Sequence, residues 1–187
     1  MIALNAAPVL AFPLRVDKTV AITPALLQER GICLRHAEDG DIPFLRRLYA
    51  SLREAELAAA PWPEAAKQAF LDSQFALQHL HYVGRYPDAG FLIVELHGVP
   101  VGRYYVSTDA SDFLIVDISL ESRIRGQGIA TALIRQTQQQ AGELAAGVQL
   151  HVQYDNQAAL RLYQRLGFRH AADEGMYQRL RWSHGAD

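Results

Sequence analysis

The sequence has little of what marks secreted, membrane-spanning or nucleic-acid-binding proteins. Its 187 residues include one cysteine, Cys33, which has no partner for an internal disulfide. We therefore expect a reducing, cytoplasmic location, with Cys33 buried and inert. No run approaches about 18 consecutive apolar residues, so no membrane span is predicted. The net charge of −2 provides no basic field for nucleic acid or an anionic membrane.

Metal and nucleotide motifs are also absent. His79 and His81 stand two apart on a predicted helix, so they do not share a face, and no carboxylate or thiol lies at ligand spacing. No metal site is predicted. Neither a Gly-Lys-Ser/Thr loop nor a complete Gly-x-Gly-x-x-Gly fingerprint occurs, which excludes the two commonest nucleotide loops.

The composition, 50% hydrophobic and 20% charged, is that of a globular protein. We predict an N-terminal extension over residues 1–30 and a single domain over 31–187. Apolar alternation predicts strands at 32–35, 91–96, 100–106, 113–120, 148–153 and 176–182. Helical spacing predicts two helices between residues 41 and 86, the first capped by Asp39 or Asp41, and further helices at 128–145 and 157–166. This order predicts an α/β (α+β) fold, with helices on the faces of a mixed sheet.

The most informative segment runs from 118 to 130, where a strand end leads through a loop with two glycines into a helix. Unpaired backbone N–H groups and the helix dipole at such a start bind diphosphates. Glycine lets the backbone approach the ligand closely, and Arg123 or Arg125 would add charged hydrogen bonds.

Two stretches resemble the GCN5-related N-acetyltransferase (GNAT) family. Arg125-Gly126-Gln127-Gly128-Ile129-Ala130 matches its Gln/Arg-x-x-Gly-x-Gly/Ala signature. The stretch 150–168, which ends in Tyr163-Gln164-Arg165-Leu166-Gly167-Phe168, is similar to its second signature. Independently of the family, Asn156 is suited to cap a helix and Gly167 to end it.

The resemblance implies the GNAT acyl-CoA N-acyltransferase fold, a central mixed and mostly antiparallel sheet with splayed strands flanked by helices. It also implies acetyl-CoA as co-substrate. The residues it assigns to the cofactor are Ile118, Ser119, Leu120, Arg123, Ile124, Arg125, Gly126, Gln127, Gly128, Ile129, Ala130, Asn156 and Tyr163.

Three residues are candidates for the chemistry. The resemblance implies Tyr163 as proton donor to the departing thiolate, against the alternative of a core tyrosine. The base is Asp117, His151 or ordered water. Asp117 would otherwise be a structural or substrate-recognising carboxylate, and His151 a packing histidine. Strict alternation places Asp117 on one face with Ile115 and Ser119.

The predicted function is direct transfer of an acetyl group from acetyl-CoA to a primary amine. A small-molecule acceptor is favoured over a protein N-terminus, and residues 1–30 are a candidate homodimer contact. The alternative is an inactive module that senses acyl-CoA and regulates a partner. A nucleic-acid binder using arginines such as Arg161, Arg165 and Arg169 is disfavoured by the net charge.

Overall fold

The computed structural model describes residues 10–13, 22–108 and 111–185, which fall into two compact units. One unit contains the described residues 10–13 and 37–87, and the other contains 22–36, 88–108 and 111–185. Of the predicted extension, residues 1–9 and 14–21 lie outside the described residues. The division at residue 30 stays a prediction. Within the described ranges, no helix is long and apolar enough to cross a membrane.

All six predicted strands are confirmed, and a seventh was missed. The strands are β1 (Ile32–His36), β2 (Gly90–Leu96), β3 (Val99–Ser107), β4 (Phe113–Leu120), β5 (Val148–Gln153), β6 (Arg169–Glu174) and β7 (Tyr177–Trp182). The helices are α1 (Ala25–Gln28), α2 (Ile42–Ala58), α3 (Glu64–Arg85), α4 (Ile129–Glu143) and α5 (Gln157–Arg165). Two 3-10 turns, Asp39–Asp41 and Ser122–Ile124, precede α2 and α4.

The first unit contains α2 and α3. Asp41 is the N-cap residue of α2, as predicted, but its side chain makes no cap hydrogen bond with that helix. Asp41 instead accepts a hydrogen bond from the Glu38 amide at 2.8 Å and completes a capping box with Glu38 around the 3-10 turn. Asp39 Oδ1 accepts from the Phe12 amide at 2.9 Å. Both carboxylates therefore bond to the chain before α2 and not to the first amides of that helix.

The second unit contains the seven-stranded sheet, in the order β1-β2-β3-β4-β5-β7-β6. Every neighbouring pair is antiparallel except β4 and β5, which run parallel. The predicted mixed, mostly antiparallel sheet is confirmed. His97 and Gly98 join β2 to β3 with φ of 50° and 77°, as a tight hairpin turn requires.

The core of this unit lies between one face of the sheet and the helices α4 and α5. Val101, Tyr104, Ile115 and Leu150 from the strands pack there with Leu133, Ile134, Leu160 and Phe168. Leu27 of α1 joins the same cluster. Cys33 is exposed, contrary to expectation, because the neighbouring Ile32 and Leu34 are the β1 residues that pack on the core.

Candidate active site

The parallel strands β4 and β5 separate after three residue pairs. Phe113, Leu114 and Ile115 pair with Val148, Gln149 and Leu150, and the described residues show no pair between these strands beyond that point. We call the space between residues 116–120 of β4 and 151–153 of β5 the β4–β5 gap. The splay implied by the resemblance is thus present.

A β-bulge in β4 stands where the gap begins. Tyr105 and Val106 of β3 are consecutive, but they pair with Asp117 and Ile115, so Val116 is an extra residue. The prediction that Asp117 shares a face with Ile115 is wrong because the bulge interrupts the alternation. Ile115 lies in the core, whereas Asp117 and Ser119 face away from α4 and α5.

The backbone of Ile118 is directed into the gap. The Glu121 amide donates to the Val101 carbonyl at 2.9 Å. In an antiparallel ladder the residues that bond to the partner strand alternate, so Ser119 and Asp117 bond to β3. The N–H and C=O groups of Ile118 then point toward β5, where β4 and β5 are no longer paired. An extended ligand amide would find a donor and an acceptor there.

The loop after β4 ends in an open helix start. Gly126 and Gly128 adopt φ of 72° and 77°, a region that disfavours other residues, and Gly128 is the N-cap of α4 without any side-chain cap. A Cβ at either glycine would meet no atom within 4 Å. Since no side chain covers the first amides of α4, this end of the helix can accept an anion.

Three arginines surround this loop. Arg125 donates from Nε to the Leu120 carbonyl at 2.8 Å, and Arg123 from Nε to Glu121 at 2.6 Å. Arg30, which the sequence reasoning missed, binds the Gln127 carbonyl at 2.9 Å and its side-chain oxygen at 3.3 Å. Arg30 lies 97 residues before Gln127, so no local pattern could have revealed it.

Asp117 is held by a buried arginine. The Arg103 side chain is 2% exposed, and its Nε and Nη2 donate to the two Asp117 oxygens at 3.1 and 2.9 Å. The Ser119 hydroxyl donates to Asp117 Oδ1 at 2.7 Å. These three donors engage both oxygens of the Asp117 carboxylate. This geometry favours the structural alternative for Asp117, and its role as a base stays a prediction.

Tyr163 lies on α5 with its side chain packed in the core. It is 7% exposed, and its ring lies edge-on to Phe168 at 5.9 Å. Burial raises the pKa of Tyr163 to about 12, and the negative charge of Asp117 adds to the shift. The phenol therefore keeps its proton at neutral pH. The contribution of Asp117 to this pKa shift indicates that the two side chains lie within electrostatic range of each other.

The ends of α5 fix the position of Tyr163 along the helix. Asn156 Oδ1 accepts from the Ala159 amide at 3.1 Å, which confirms the predicted cap. At the other end, the Phe168 amide bonds to the Tyr163 carbonyl at 3.0 Å, and Gly167 has φ of 82°. This Schellman geometry confirms Gly167 as the residue that ends the helix.

His151 is the first β5 residue beyond the last pair with β4. It points away from the core, unlike Leu150 and Val152, and its side chain is 36% exposed. Because Gln149 pairs with Leu114, the register puts His151 and Asp117 on the same face of the sheet. Its Nε2 lies 3.0 Å from Glu174 Oε2.

A separate cavity of about 320 Å³ lies between the sheet and α4. Its lining includes Leu34, Tyr104, Val106, Leu133 and Leu144. None of the predicted site residues is among them, so the loop and the β4–β5 gap are a different place. The described residues include no cluster of His, Cys, Asp and Glu suited to a metal ion.

Comparison with known proteins identifies this arrangement. The model of the acetyltransferase (GNAT) family matches residues 45–168, which span the β4–β5 gap, the glycine loop and α5. The chain belongs to the GNAT family. The family resemblance of the two sequence signatures is confirmed.

Individual relatives agree with the assignment. The chain is 33% identical over 112 residues to the N-alpha-acetyltransferase RimI of Mycobacterium tuberculosis, an alignment that covers 58% of this chain and 62% of that GNAT protein. The PaiA N-acetyltransferase of Thermoplasma acidophilum, solved with coenzyme A, superimposes with a TM-score of 0.61 at 14% identity, over 82% of this chain and 99% of that one. Ard1 of Thermoplasma volcanium gives 0.55 at 20% identity, over 82% and 98%. These two likenesses confirm the GNAT fold.

Proposed function

We propose that this chain is an N-acetyltransferase that moves the acetyl group of acetyl-CoA directly to a primary amine. The main support for the proposal is that two binding features follow each other along one segment of the chain. The β4 backbone is open toward the β4–β5 gap at Ile118, and an uncapped helix start follows at Gly128. Coenzyme A has two parts in the same order, because its extended pantetheine arm is followed by its diphosphate.

The cofactor assignment follows that order. Ile118, Ser119 and Leu120 would lie along the pantetheine arm, with the backbone of Ile118 bonding to it. The amides of the loop and of the first turn of α4 would bind the diphosphate, with the arginines around it. The assigned loop residues are Arg123, Ile124, Arg125, Gly126, Gln127, Gly128, Ile129 and Ala130. Asn156 contributes through the α5 cap, and Arg30 holds Gln127 in place.

The reaction breaks the carbon–sulfur bond of the thioester and forms a carbon–nitrogen bond. His151 accepts a proton from the attacking nitrogen, and the Tyr163 hydroxyl gives a proton to the departing sulfur. The proton returns from His151 to Tyr163 through solvent, which balances the cycle. The Ile118 amide would donate to the carbonyl oxygen as negative charge develops there. Holding both substrates together lowers the entropic cost of their encounter.

The acceptor is proposed at the level of a primary amine. The relative in Mycobacterium tuberculosis is named as an N-alpha-acetyltransferase, so peptides with a free α-amine are the first acceptors to test. Polyamines and amino acids form the second panel, because the sequence alone favoured a small molecule. Release of the coenzyme thiol reports turnover with either panel.

The first experiment is calorimetric titration of acetyl-CoA into the wild type and two variants with equal charge changes. Arg125→Glu places a negative charge beside the loop, whereas Arg135→Glu does so on the exposed side of α4. Because a charged hydrogen bond is lost, Arg125→Glu should bind acetyl-CoA at least about tenfold more weakly than the wild type. Arg135→Glu should bind like the wild type.

Equal weakening in both variants would contradict a specific role for Arg125. No binding by folded wild type would overturn the proposal. Binding without thiol release from any amine in either panel would instead favour an acyl-CoA-sensing module.

A further inference from the structure

One acidic residue outside the family signatures contacts the candidate base. Glu174 ends β6, and its Oε2 lies 3.0 Å from Nε2 of His151, although 23 residues separate them in sequence. β7 lies between β5 and β6 in the sheet, so Glu174 reaches across one strand. This contact would serve the acetyl transfer proposed above.

The contact defines which imidazole nitrogen carries the proton. An ionised carboxylate can only accept hydrogen bonds, so Nε2 must be the donor when His151 is neutral. Nδ1 is then the nitrogen with the free electron pair, and it can accept a proton. A histidine without this contact would distribute its proton between both nitrogens.

Arg179, on the neighbouring strand β7, forms an ion pair with the same carboxylate. It is the cross-strand partner of His151 on β7, and its Nε lies 3.0 Å from Glu174 Oε1. Its Nη1 donates to Gln149 Oε1 at 3.3 Å. Glu174 and Arg179 are therefore charged groups next to His151 on this part of the sheet. Glu174 thus lies between Arg179 and His151, with one carboxylate oxygen near each.

We infer that Glu174 is a positioning residue for His151, keeping its imidazole in the Nε2–H tautomer so that Nδ1 receives the proton of the attacking amine. The inference rests on the proposed function and deepens it. After proton transfer, the imidazolium is stabilised by the carboxylate that oriented it, which is the logic of base–orienter pairs in other enzymes.

A purely structural role for the contact predicts something different. Glu174 is 46% exposed and His151 36% exposed, and ion pairs this open contribute little to stability. Removing the charge should therefore leave the fold unchanged. An effect on turnover can then be separated from an effect on folding.

The test compares Glu174→Gln with Asp173→Asn, which removes a carboxylate one residue away. Asp173 contacts His170 at 2.7 Å and the Tyr154 hydroxyl, not His151. For Glu174→Gln we expect kcat to fall about 10- to 100-fold, by analogy with residues that orient metal-binding histidines. The KM for acetyl-CoA and the melting temperature should not change. Asp173→Asn should keep the wild-type kcat.

Nitrogen-15 NMR of the His151 ring provides the second measurement. Neutral His151 should be in the Nε2–H form in the wild type and in Asp173→Asn, and should become a mixture in Glu174→Gln. An unchanged tautomer in Glu174→Gln, a wild-type kcat, or an equal fall in Asp173→Asn would each overturn the inference. If the wild type shows no acetyl transfer at all, the proposed function fails, and the NMR measurement still decides whether Glu174 sets the tautomer.

Discussion

Tyr163 combines a buried phenol with a place within electrostatic range of Asp117. Burial raises its pKa to about 12, with a further contribution from Asp117, so it is protonated at every pH below that value. Ionisation of Tyr163 should therefore cause no loss of activity between pH 7 and pH 10. The phenol therefore carries a proton that it could donate to sulfur across that range.

Changing Tyr163 to Phe removes the donor and keeps the ring that packs on Phe168. We expect kcat to fall about 100-fold, a typical contribution of a general acid, with the acetyl-CoA affinity unchanged. Tyr104→Phe is the matched control, because Tyr104 is also a buried tyrosine and bonds to Thr137 at 2.6 Å. Steady-state kinetics and titration measure both variants. A wild-type kcat in Tyr163→Phe would contradict the donor role.

At the residue scale, the sequence predicted what depends on local chemistry. Asn156 caps α5 and Gly167 ends it because both roles are set by neighbours a few residues away. The sequence did not reveal Arg103 bound to Asp117 or Arg30 bound to Gln127. Those contacts join residues 14 and 97 positions apart, and they exist only once the sheet has formed.

At the element scale, alternation located strands but not their irregularities. β6 was missed because Arg169–Glu174 is an edge strand whose residues are nearly all exposed, so it has no buried face to produce a pattern. The bulge at Val116 was missed because a run of apolar residues looks the same with or without an extra residue. That bulge decides which way Asp117 points.

The close approach of β3 to the end of β4 leads to a prediction about Gly102. A Cβ there would lie 2.5 Å from the Leu120 side chain and 2.6 Å from the Ser119 carbonyl, which is backbone and cannot turn aside. Gly102→Ala should therefore cost about 1 to 3 kcal/mol of unfolding free energy, as other overpacked sites do. Because Ser119 and Leu120 lead into the loop, acetyl-CoA binding should also weaken.

Gly84→Ala is the control for that substitution. Gly84 lies in the last turn of α3, and a Cβ there would meet no atom within 4 Å. Alanine is favoured over glycine in helices, by up to about 1 kcal/mol in a helix interior, so this variant should be at least as stable as the wild type. Denaturant unfolding of both variants checks the contrast, and equal effects at both positions would contradict it.

At the scale of the whole second unit, Asp112 joins three strands at the closed end of the β4–β5 gap. It directly precedes β4 and accepts hydrogen bonds from the Gly147 amide at 2.8 Å, from Gln149 at 2.7 Å and from Arg181 of β7 at 2.6 and 3.0 Å. These contacts hold the parallel β4–β5 pair together over its three residues. Because the Asp112 contacts hold this end of β4 and β5 together, the two strands can separate beyond it.

The same contacts predict how stability depends on pH. The Arg181 guanidinium is the largest cause that holds the pKa of Asp112 well below its usual range. The unfolded chain then binds this proton at a higher pH than the folded protein, so the contribution is complete above about pH 4 and is lost as the pH falls further. Asp112→Asn should cost about 2 kcal/mol of unfolding free energy at pH 7, since hydrogen bonds to a charged group are lost.

Urea unfolding of the wild type and Asp112→Asn from pH 7 down to the lowest pH at which both stay folded measures this difference. It should be constant above about pH 4 and shrink below it, because protonated Asp112 loses the charge that Asn also lacks. Asp72→Asn in α3, where the carboxylate accepts from the neutral Gln68 amide at 3.2 Å, should show no such trend. If the difference in unfolding free energy between wild type and Asp112→Asn stayed constant through the acid range, the charge of Asp112 would not be what stabilises the contacts among β4, β5 and β7.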